Sequence, residues 1–418
     1  MARLPAEPSP QRCASCGSPL DTLILDLGRQ PVADELVAAD VGPPEPGYPL
    51  RLAICTSCLL VQLAGKERPS ISRHGHGAAY SPTVLGHLAS WATNLMQRTA
   101  LQRGRLVVDV AAADGHLLAP FSAAGQRVVA LEVDADAAGA NLEQSIPRFR
   151  GRIGRRTAEL VVAEHGHADL VLVNHALAHV DDLDDAVAGL ATLLAPGGTI
   201  AIEAHHVLGI VAGSQFDIVT HAHRTYLSLV SLERALGRHG LTVAGARTVD
   251  LHGGSMQLEA RRSDDAIEGS DRHDPGLLEL RRLERAHGLD RVDGYAEIEG
   301  RAVRTLEELR SFLMTCATTG LRVLGYGAPT RGTTLFNSAN VTTELVEFTV
   351  DRDPAKQGRL LPGCRIPIRA PDEVEVGRPD RLLILPWPLR DEIMQQMSVI
   401  RTWGGKFVVP LPTLMVLD

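Results

Sequence analysis

The chain has 418 residues, more than one hydrophobic core ordinarily serves, so two or three domains are expected. Its balance of 44% hydrophobic and 22% charged residues is that of a globular protein. A net charge of -8 and 4% aromatic content exclude a nucleic-acid partner, which requires a basic face and stacking rings.

No apolar run approaches the ~20 residues of a membrane span, and MARLPAEPSPQR lacks the apolar centre of a secretory signal. The expectation is therefore a cytoplasmic chain that meets no membrane. In that reducing compartment cysteines read as thiols or metal ligands. Residues 1–75, rich in Pro and Gly, hold two pairs, Cys13-x2-Cys16 and Cys55-x2-Cys58. Each CxxC turn aims two thiolates at one spot, and two such turns complete a tetrahedral Zn²⁺ site with Zn–S of about 2.3 Å. The 38 residues between the pairs exceed a compact ribbon, so an inserted strand or loop is expected. A redox pair would open a helix in a thioredoxin-like unit, and these do not. Four sulfur ligands leave no open position, which makes the zinc structural. Cys316 and Cys364 stand alone as core or surface thiols.

From about residue 76 to 262, β-branched runs alternate with helical stretches. RLVVDVAAADG reads as strand, turn and helix, and QRVVALEVD, ADLVLVNHAL and GGTIAIEAHH as further strands, the βαβ alternation of a doubly wound parallel sheet. LTVAGARTVDLHGGSMQLEARR reads as two strands about a short turn. By fold analogy, a closing hairpin of that kind points to a methyltransferase rather than a dehydrogenase. The turn from Asp109 through Ala111 and Asp114 to Gly115 is where backbone approaches a bound nucleoside. Alanines replace the commoner glycines, and Gly115 permits a left-handed entry to the helix. Glu132, 23 residues after Asp109, ends the second strand, where a carboxylate accepts from ribose hydroxyls. A nicotinamide cofactor satisfies the same pattern, and so does a merely solvated carboxylate.

A charged linker, RRSDDAIEGSDRHDPG, leads to a long helical pattern and then a second α/β unit from Leu321. In LRVLGYGAPTRGTTLFN, Gly325, Gly327 and Gly332 let backbone amides and a helix N-terminus face a phosphate, and the fork of Arg331 suits a diphosphate. Glycines that serve only helix–strand packing are the plainer alternative.

Several longer strings carry a family resemblance. NHALAHVDDLDD, QFDIVTHAHRTYLSL, DLHGGSMQLEA, GYGAPTRGTTLFN, VDRDPAKQGRLLPGCRIPI and WGGKFVVPLP resemble segments of the three-domain, zinc-containing sugar C-methyltransferases of deoxysugar antibiotic pathways, across nearly the whole chain. The resemblance implies an α/β protein with three parts. These are an N-terminal zinc-binding module (1–75), a central Rossmann-like seven-stranded methyltransferase domain binding S-adenosylmethionine (76–262), and a C-terminal Rossmann-like domain binding the nucleotide sugar (263–418). It implies as partner a dTDP-linked 4-keto-deoxysugar methylated at C3. The ketone acidifies the neighbouring C3–H, and a base forms the enolate that attacks the methyl group.

Matched position by position, the resemblance makes His223 the general base, His179 a group on the keto oxygen, and His221 the first histidine of the family's HEH string. Tyr80 falls in a tyrosine-rich loop at the site mouth, with packing between two domains as its alternative role. Asn174 and His175 join the cofactor set of Asp109, Ala111, Asp114, Gly115 and Glu132. Tyr326, Gly327, Arg331, Asn337 and Asp351 fall in the nucleotide-sugar set. Two positions depart from the family: Thr220 replaces a tyrosine, and Ala222 the glutamate that would orient a histidine. These departures admit a second reading, NADPH-dependent 4-keto reduction alone or beside methylation. None of the five tyrosines has lysine four residues on, so such a reductase would be unconventional. A third reading is a zinc-bearing binding protein without chemistry.

Overall fold

Among the described residues, sheets of four, seven and six strands follow one another along the chain, with a fourth sheet of two short strands. The structure, a computed structural model, describes residues 11–39, 42–65, 67, 69, 71, 81–110, 115–132, 146–265 and 274–418, with Glu132 described in its backbone alone.

The strands β1 (Thr22–Gln30), β2 (Tyr48–Ile54) and β3 (Val61–Ala64) form an antiparallel meander. β1 and β2 are the insertion between the cysteine pairs, and the second pair is the turn from β2 to β3. There Cys55 N donates to Leu60 O at 2.9 Å and Leu59 N to Cys55 O at 2.8 Å. In the first pair Gly17 N donates to Cys13 O at 3.0 Å, and Gly17 takes the left-handed φ of 71° that closes the knuckle.

Helix α1 (Pro82–Arg98) begins at Ser81, whose Oγ accepts from Val84 N at 3.3 Å while Pro82 fills the first turn. It leads into a sheet of β4 (Leu106–Val110), β5 (Arg127–Glu132), β6 (Arg148–Arg150), β7 (Ala168–Asn174) and β8 (Leu194–His205). Helices α2 (Arg155–His165) and α3 (Leu183–Leu193) lie in the crossovers. After β8 the two-residue strand β9 (Thr225–Tyr226) leaves this sheet and pairs antiparallel with β3. Helix α4 (Leu229–Gly237) and the strands β10 (Leu241–Val249) and β11 (Ser255–Arg262) complete the body. The order is β10-β11-β8-β7-β4-β5-β6, parallel except at β11. All five residues of β4 are buried, which accounts for its unbroken apolar run. Chain order reverses between β4 and β7, and a doubly wound sheet opens its ligand crevice at the carboxyl ends there.

Helix α5 (Pro275–Ala286) follows the linker, yet Leu277 and Leu280 bury in the core of the seven-stranded sheet, so it serves the middle body. Helix α6 (Ile298–Thr318) leads to the last unit: β12 (Val323–Tyr326), α7 (Thr330–Ser338), β13 (Thr349–Val350), β14 (Ile368–Arg369), β15 (Arg381–Ile384), β16 (Lys406–Val409) and β17 (Met415–Leu417). Its order, β14-β13-β12-β15-β16-β17, is parallel but for β17.

The N-terminal module is a wedge between the other two. Leu52 and Ile54 pack in one core with Phe336 and Phe348, while Cys55 and Leu60 pack in another with Val108 and Leu229. A short pairing of Val37–Ala38 with Arg359–Leu360 adds a second seam.

One buried carboxylate ties α5 to the middle body. Glu284 accepts from Leu229 N at 2.5 Å, from Val230 N at 3.0 Å and contacts His206 Nε2 at 2.8 Å. It satisfies the first amides of α4, which have no partner inside their own helix. Glu284→Ala is expected to cost about 2–4 kcal/mol, because it leaves two amides and an imidazole buried without partners. Scanning calorimetry should show a lowered Tm, with Glu284→Gln retaining most of the stability.

Candidate active site

The metal centre comes first along the chain. The Sγ atoms of Cys13, Cys16, Cys55 and Cys58 lie within 4.8 Å of one another, with Cys13–Cys58 and Cys16–Cys55 at 3.5 Å. A tetrahedron with Zn–S of ~2.3 Å has edges of ~3.8 Å, so donor set and spacing fit zinc. The hydrogen bond from the Cys58 thiol pulls the Cys13 thiol down to about 4, against burial and aided by backbone and Gln62 hydrogen bonds. Gln62 Nε2 reaches Cys13 Sγ at 3.2 Å and Ser15 N reaches it at 3.4 Å. The knuckle is fastened to the middle body: Leu183 N donates to Ala14 O at 2.9 Å, and Arg238 Nη2 to Ser15 O at 2.5 Å.

A cleft of about 210 Å³ opens at the carboxyl ends of β4, β5 and β7, bordered by Val110, Leu131, Ile153, Ala176 and His179. Asp109 is buried near the end of β4, and Gly115, at φ 74°, opens the following turn. Asn174 ends β7 with its Oδ1 buried and without a partner among the described residues; Nδ1 of His175 is in the same state. His175 is held in the left-handed region at φ 53°, its N–H on Glu203 O at 2.8 Å. Orphaned buried polar atoms beside a cleft at the sheet's reversal point fit a bound nucleoside cofactor. Ala111, Asp114 and Tyr80 lie outside the described residues, as does the side chain of Glu132.

Next to the cleft lies a chain of imidazoles. The His179 ring centre stands 4.9 Å from His223, His223 stands 5.8 Å from His205, and His205 stands 4.3 Å from His175 and 5.5 Å from His252. His179 borders the cleft, whereas His223 and His205 line a narrow pocket with Tyr226, Gln215 and Gly254. His223 Nδ1 lies 3.0 Å from Ile218 O, and His179 Nδ1 lies 3.0 Å from Ala222 O. A carbonyl only accepts, so in each neutral ring the proton sits on Nδ1 and Nε2 carries the lone pair. Backbone carbonyls thus fix the tautomer that the glutamate missing at Ala222 would otherwise set. Tyr226 does not extend the proton chemistry. Its hydroxyl meets Thr220 N at 3.2 Å, and burial pushes the phenol up.

Burial makes His205 and His252 permanently neutral near pH 7. His205 is driven well below its ordinary value and His252 to about 3. Beneath them Glu203 is 1% exposed, its Oε2 2.8 Å from His87 Nε2 and its Oε1 3.3 Å from His175 Nε2, with Gln257 as a further donor. Burial opposes its ionisation, but the hydrogen bonds from His175, His87 and Gln257 prevail and hold the carboxyl far below its usual range.

The remaining expected residues part company. His221 points away from this chain of rings: its Nε2 lies 3.3 Å from Tyr48 O on β2, so the turn at 220–223 sends the two histidines of one string to different modules. In the C-terminal unit Gly327 has φ 88°, and a Cβ there would meet Pro386 Cδ at 2.5 Å, so the tight turn after β12 requires glycine. Asp351 Oδ2 accepts from Ala328 N of that turn at 2.7 Å, and Lys356 Nζ donates to Ala328 O at 3.1 Å. Tyr326 donates its hydroxyl to Gln396 Oε1 at 2.9 Å. Asn337 donates to Thr333 O and Pro362 O, both at 3.0 Å, at the far end of α7, where it fastens a loop. Arg331 turns out of the glycine loop toward the middle body, with Nε 3.2 Å from Asp217 Oδ2 and its fork 4.9 Å above the Trp387 ring.

Sequence reading passed over Glu203, His205, His252, Asp217 and Trp387. A glutamate inside the apolar run TIAIEAHH was the available signal for the first two, since a buried strand rarely admits a carboxylate without partners. Asp217 and Trp387 are 170 residues apart and carry no local signal.

With this geometry in place, comparison with known proteins finds three family models matching in order. They are a zinc binding domain over residues 13–71, a methyltransferase domain over 85–245 and a C-methyltransferase C-terminal domain over 250–412. The C-methyltransferase NovU of Streptomyces niveus is 29% identical over 409 residues, which is 97% of this chain and 96% of that protein. Among solved structures, the glycopeptide N-methyltransferase MtfA is 17% identical with a TM-score of 0.33, over 42% of this chain and 90% of that one. An S-adenosylmethionine dependent methyltransferase from Mesorhizobium loti is 14% identical with a TM-score of 0.33, over 43% of this chain and 100% of that one.

Two outcomes are expected. Elemental analysis should find one zinc per chain, and Cys58→Ser should lose the ion and lower the Tm. The second concerns acid. Burial lowers His205, His252 and His221 in the folded state, while the unfolded chain binds protons near 6.5. Below pH 6.5 the unfolded state therefore holds more protons, and stability falls as pH drops toward about 3. Melting temperatures across that range should show the decline, and His252→Asn should flatten it.

Proposed function

We propose, on the premise that the chain belongs to the three-part, zinc-containing C-methyltransferases, that this S-adenosylmethionine-dependent enzyme methylates C3 of a dTDP-linked 4-keto-deoxysugar in deoxysugar biosynthesis. Zinc is structural, held by Cys13, Cys16, Cys55 and Cys58. Bound S-adenosylmethionine supplies an electrophilic methyl group. Asp109 and Asn174, at the carboxyl ends of β4 and β7, with Gly115 and His175 that follow them, are suited to hold it, and Ala111, Asp114 and Glu132 complete the set on sequence grounds.

One observation carries the substrate reading. His179 borders the cofactor cleft and its ring lies 4.9 Å from His223, which lines the neighbouring pocket. A base set one imidazole away from the methyl donor suits abstraction of a carbon-bound proton followed by attack on that side. His223 presents Nε2 as a lone pair because Nδ1 is engaged with the Ile218 carbonyl, the tautomer a base needs. His179, with its Nδ1 proton on Ala222 O, is suited to accept from a sugar hydroxyl. This revises the role expected for it on the keto oxygen. The dTDP part fits the glycine turn of the C-terminal unit, where Gly327, the amide end of α7 and the Lys356 ammonium favour a diphosphate.

The test is mass spectrometry of products from dTDP-4-keto-deoxyhexoses with S-adenosylmethionine, with and without NADPH. A gain of one methyl at C3 is expected, and His223→Ala should slow it by about 10²–10⁴-fold. Folded, zinc-loaded enzyme that yields no methylated sugar from any 4-keto substrate sinks the proposal. Reduction only when NADPH is added would select the reductase reading instead.

A further inference from the structure

A reaction through an enolate needs a group that holds the oxygen as it becomes negative. Among the described residues, the histidines near His223 do not supply one. His179 and His223 each commit their Nδ1 proton to a backbone carbonyl, and His206 lies with Nε2 2.8 Å from Glu284. His205 and His252 bring no charge, since burial keeps them neutral. The phenol of Tyr226 is spent on the backbone of Thr220.

Arg331 meets the need from a different domain. Its guanidinium is almost wholly covered, with 12% of the side chain exposed. Nε faces Asp217 Oδ2 at 3.2 Å, Nη1 donates to His252 O at 3.4 Å, and the plane lies over Trp387. Nη2 is buried with no partner among the described residues. The His252 that Nη1 meets through its carbonyl has its ring 5.5 Å from that of His205. Asp217 also accepts from Trp387 Nε1 at 2.8 Å, which fixes the carboxylate that orients the fork. A buried donor left unmade is costly, and a buried cation costlier, so the N–H that remains over is suited to an anionic or strongly polar oxygen.

We propose that Arg331 is a catalytic residue that donates through Nη2 to the substrate's C4 oxygen during enolate formation. The proposal rests on the C-methyltransferase reading above. In that step His223 Nε2 takes the C3 proton and becomes imidazolium. The C3–H pair forms the C3=C4 bond, and the carbonyl π pair moves onto oxygen, where the guanidinium meets it. The ring of His205 links the two ends, 5.8 Å from that of His223 and 5.5 Å from that of His252, whose carbonyl takes Nη1 of Arg331. Asp217 and Trp387 are positioning residues for the fork.

The experiment uses full-length, zinc-loaded enzyme with a dTDP-4-keto-deoxyhexose and S-adenosylhomocysteine in D2O, following deuterium entry at C3 by mass spectrometry. Methyl transfer is then measured with S-adenosylmethionine. The Arg331→Gln/Asp217→Asn double variant keeps the interface neutral and close in shape. It should lose about 10²–10³-fold in both exchange and kcat, the usual cost of one such donor, with KM, S-adenosylhomocysteine affinity and Tm near wild type. Arg331→Lys, which keeps the charge without Nη2, should lose at least ~10-fold in kcat and serves if the double variant does not fold. Rates within threefold of wild type in a folded variant overturn the proposal. So does a loss confined to KM for the dTDP-sugar, which would return Arg331 to the diphosphate. Wild-type enzyme that neither exchanges nor methylates removes the underlying reading, and this one with it.

Discussion

Gln62 joins the metal centre to the chemistry. Its side chain donates to Cys13 Sγ at 3.2 Å and accepts from Ala14 N at 2.9 Å, while its backbone lies in register with Thr225 on β9. Two residues before Thr225 stands His223. The ladder continues on both sides, with Leu63 N on Arg224 O at 2.9 Å and Arg224 N on Ala178 O at 2.6 Å. The loop carrying His223 is therefore clamped between a strand of the zinc module and the segment after β7. A loop alone holds a side chain loosely, whereas a strand pairing fixes its direction. Metal site and His223 are therefore one mechanical unit.

Much of this was legible in the sequence, and for identifiable reasons. Two CxxC pairs allow few arrangements, because thiolate geometry around zinc is narrow. The apolar runs of β4, β5, β7 and β8 could only be buried parallel strands once helical stretches lay between them. Gly327 was expected from a glycine turn facing a phosphate, and the structure adds that a Cβ there would meet Pro386. Other features were not legible, since they depend on where side chains point after folding. Nothing in THAHR distinguishes His221 from His223; the turn at Thr220 sends one to Tyr48 on β2 and the other toward His179. Arg331 sits in a phosphate-like glycine string, yet its partner Asp217 lies 114 residues earlier, and only their tertiary contact turns the fork away from the loop.

The buried charged groups come from separate bodies. Charges brought together in one folding unit would pay a desolvation cost in every intermediate that exposes or mispairs them. Here Glu203 and its histidines belong to the middle sheet, Arg331 to the last domain, and Asp217 receives both Arg331 and Trp387 only when the two bodies meet.

Assembly then removes water from the histidines and leaves the guanidinium with an unmet donor. In such surroundings a hydrogen bond to a developing oxyanion is stronger than in water, and the donor needs no reorganisation at the moment of reaction. The neutrality of His205 and His252 becomes useful for the same reason. Cationic rings beside Arg331 would repel it and compete for the oxygen, whereas neutral rings give a polar floor whose charge does not change near pH 7. The burial that lowers those imidazoles also covers the guanidinium that meets His252 O, so the pocket's acid sensitivity and the low-dielectric surroundings of Arg331 have a common physical origin.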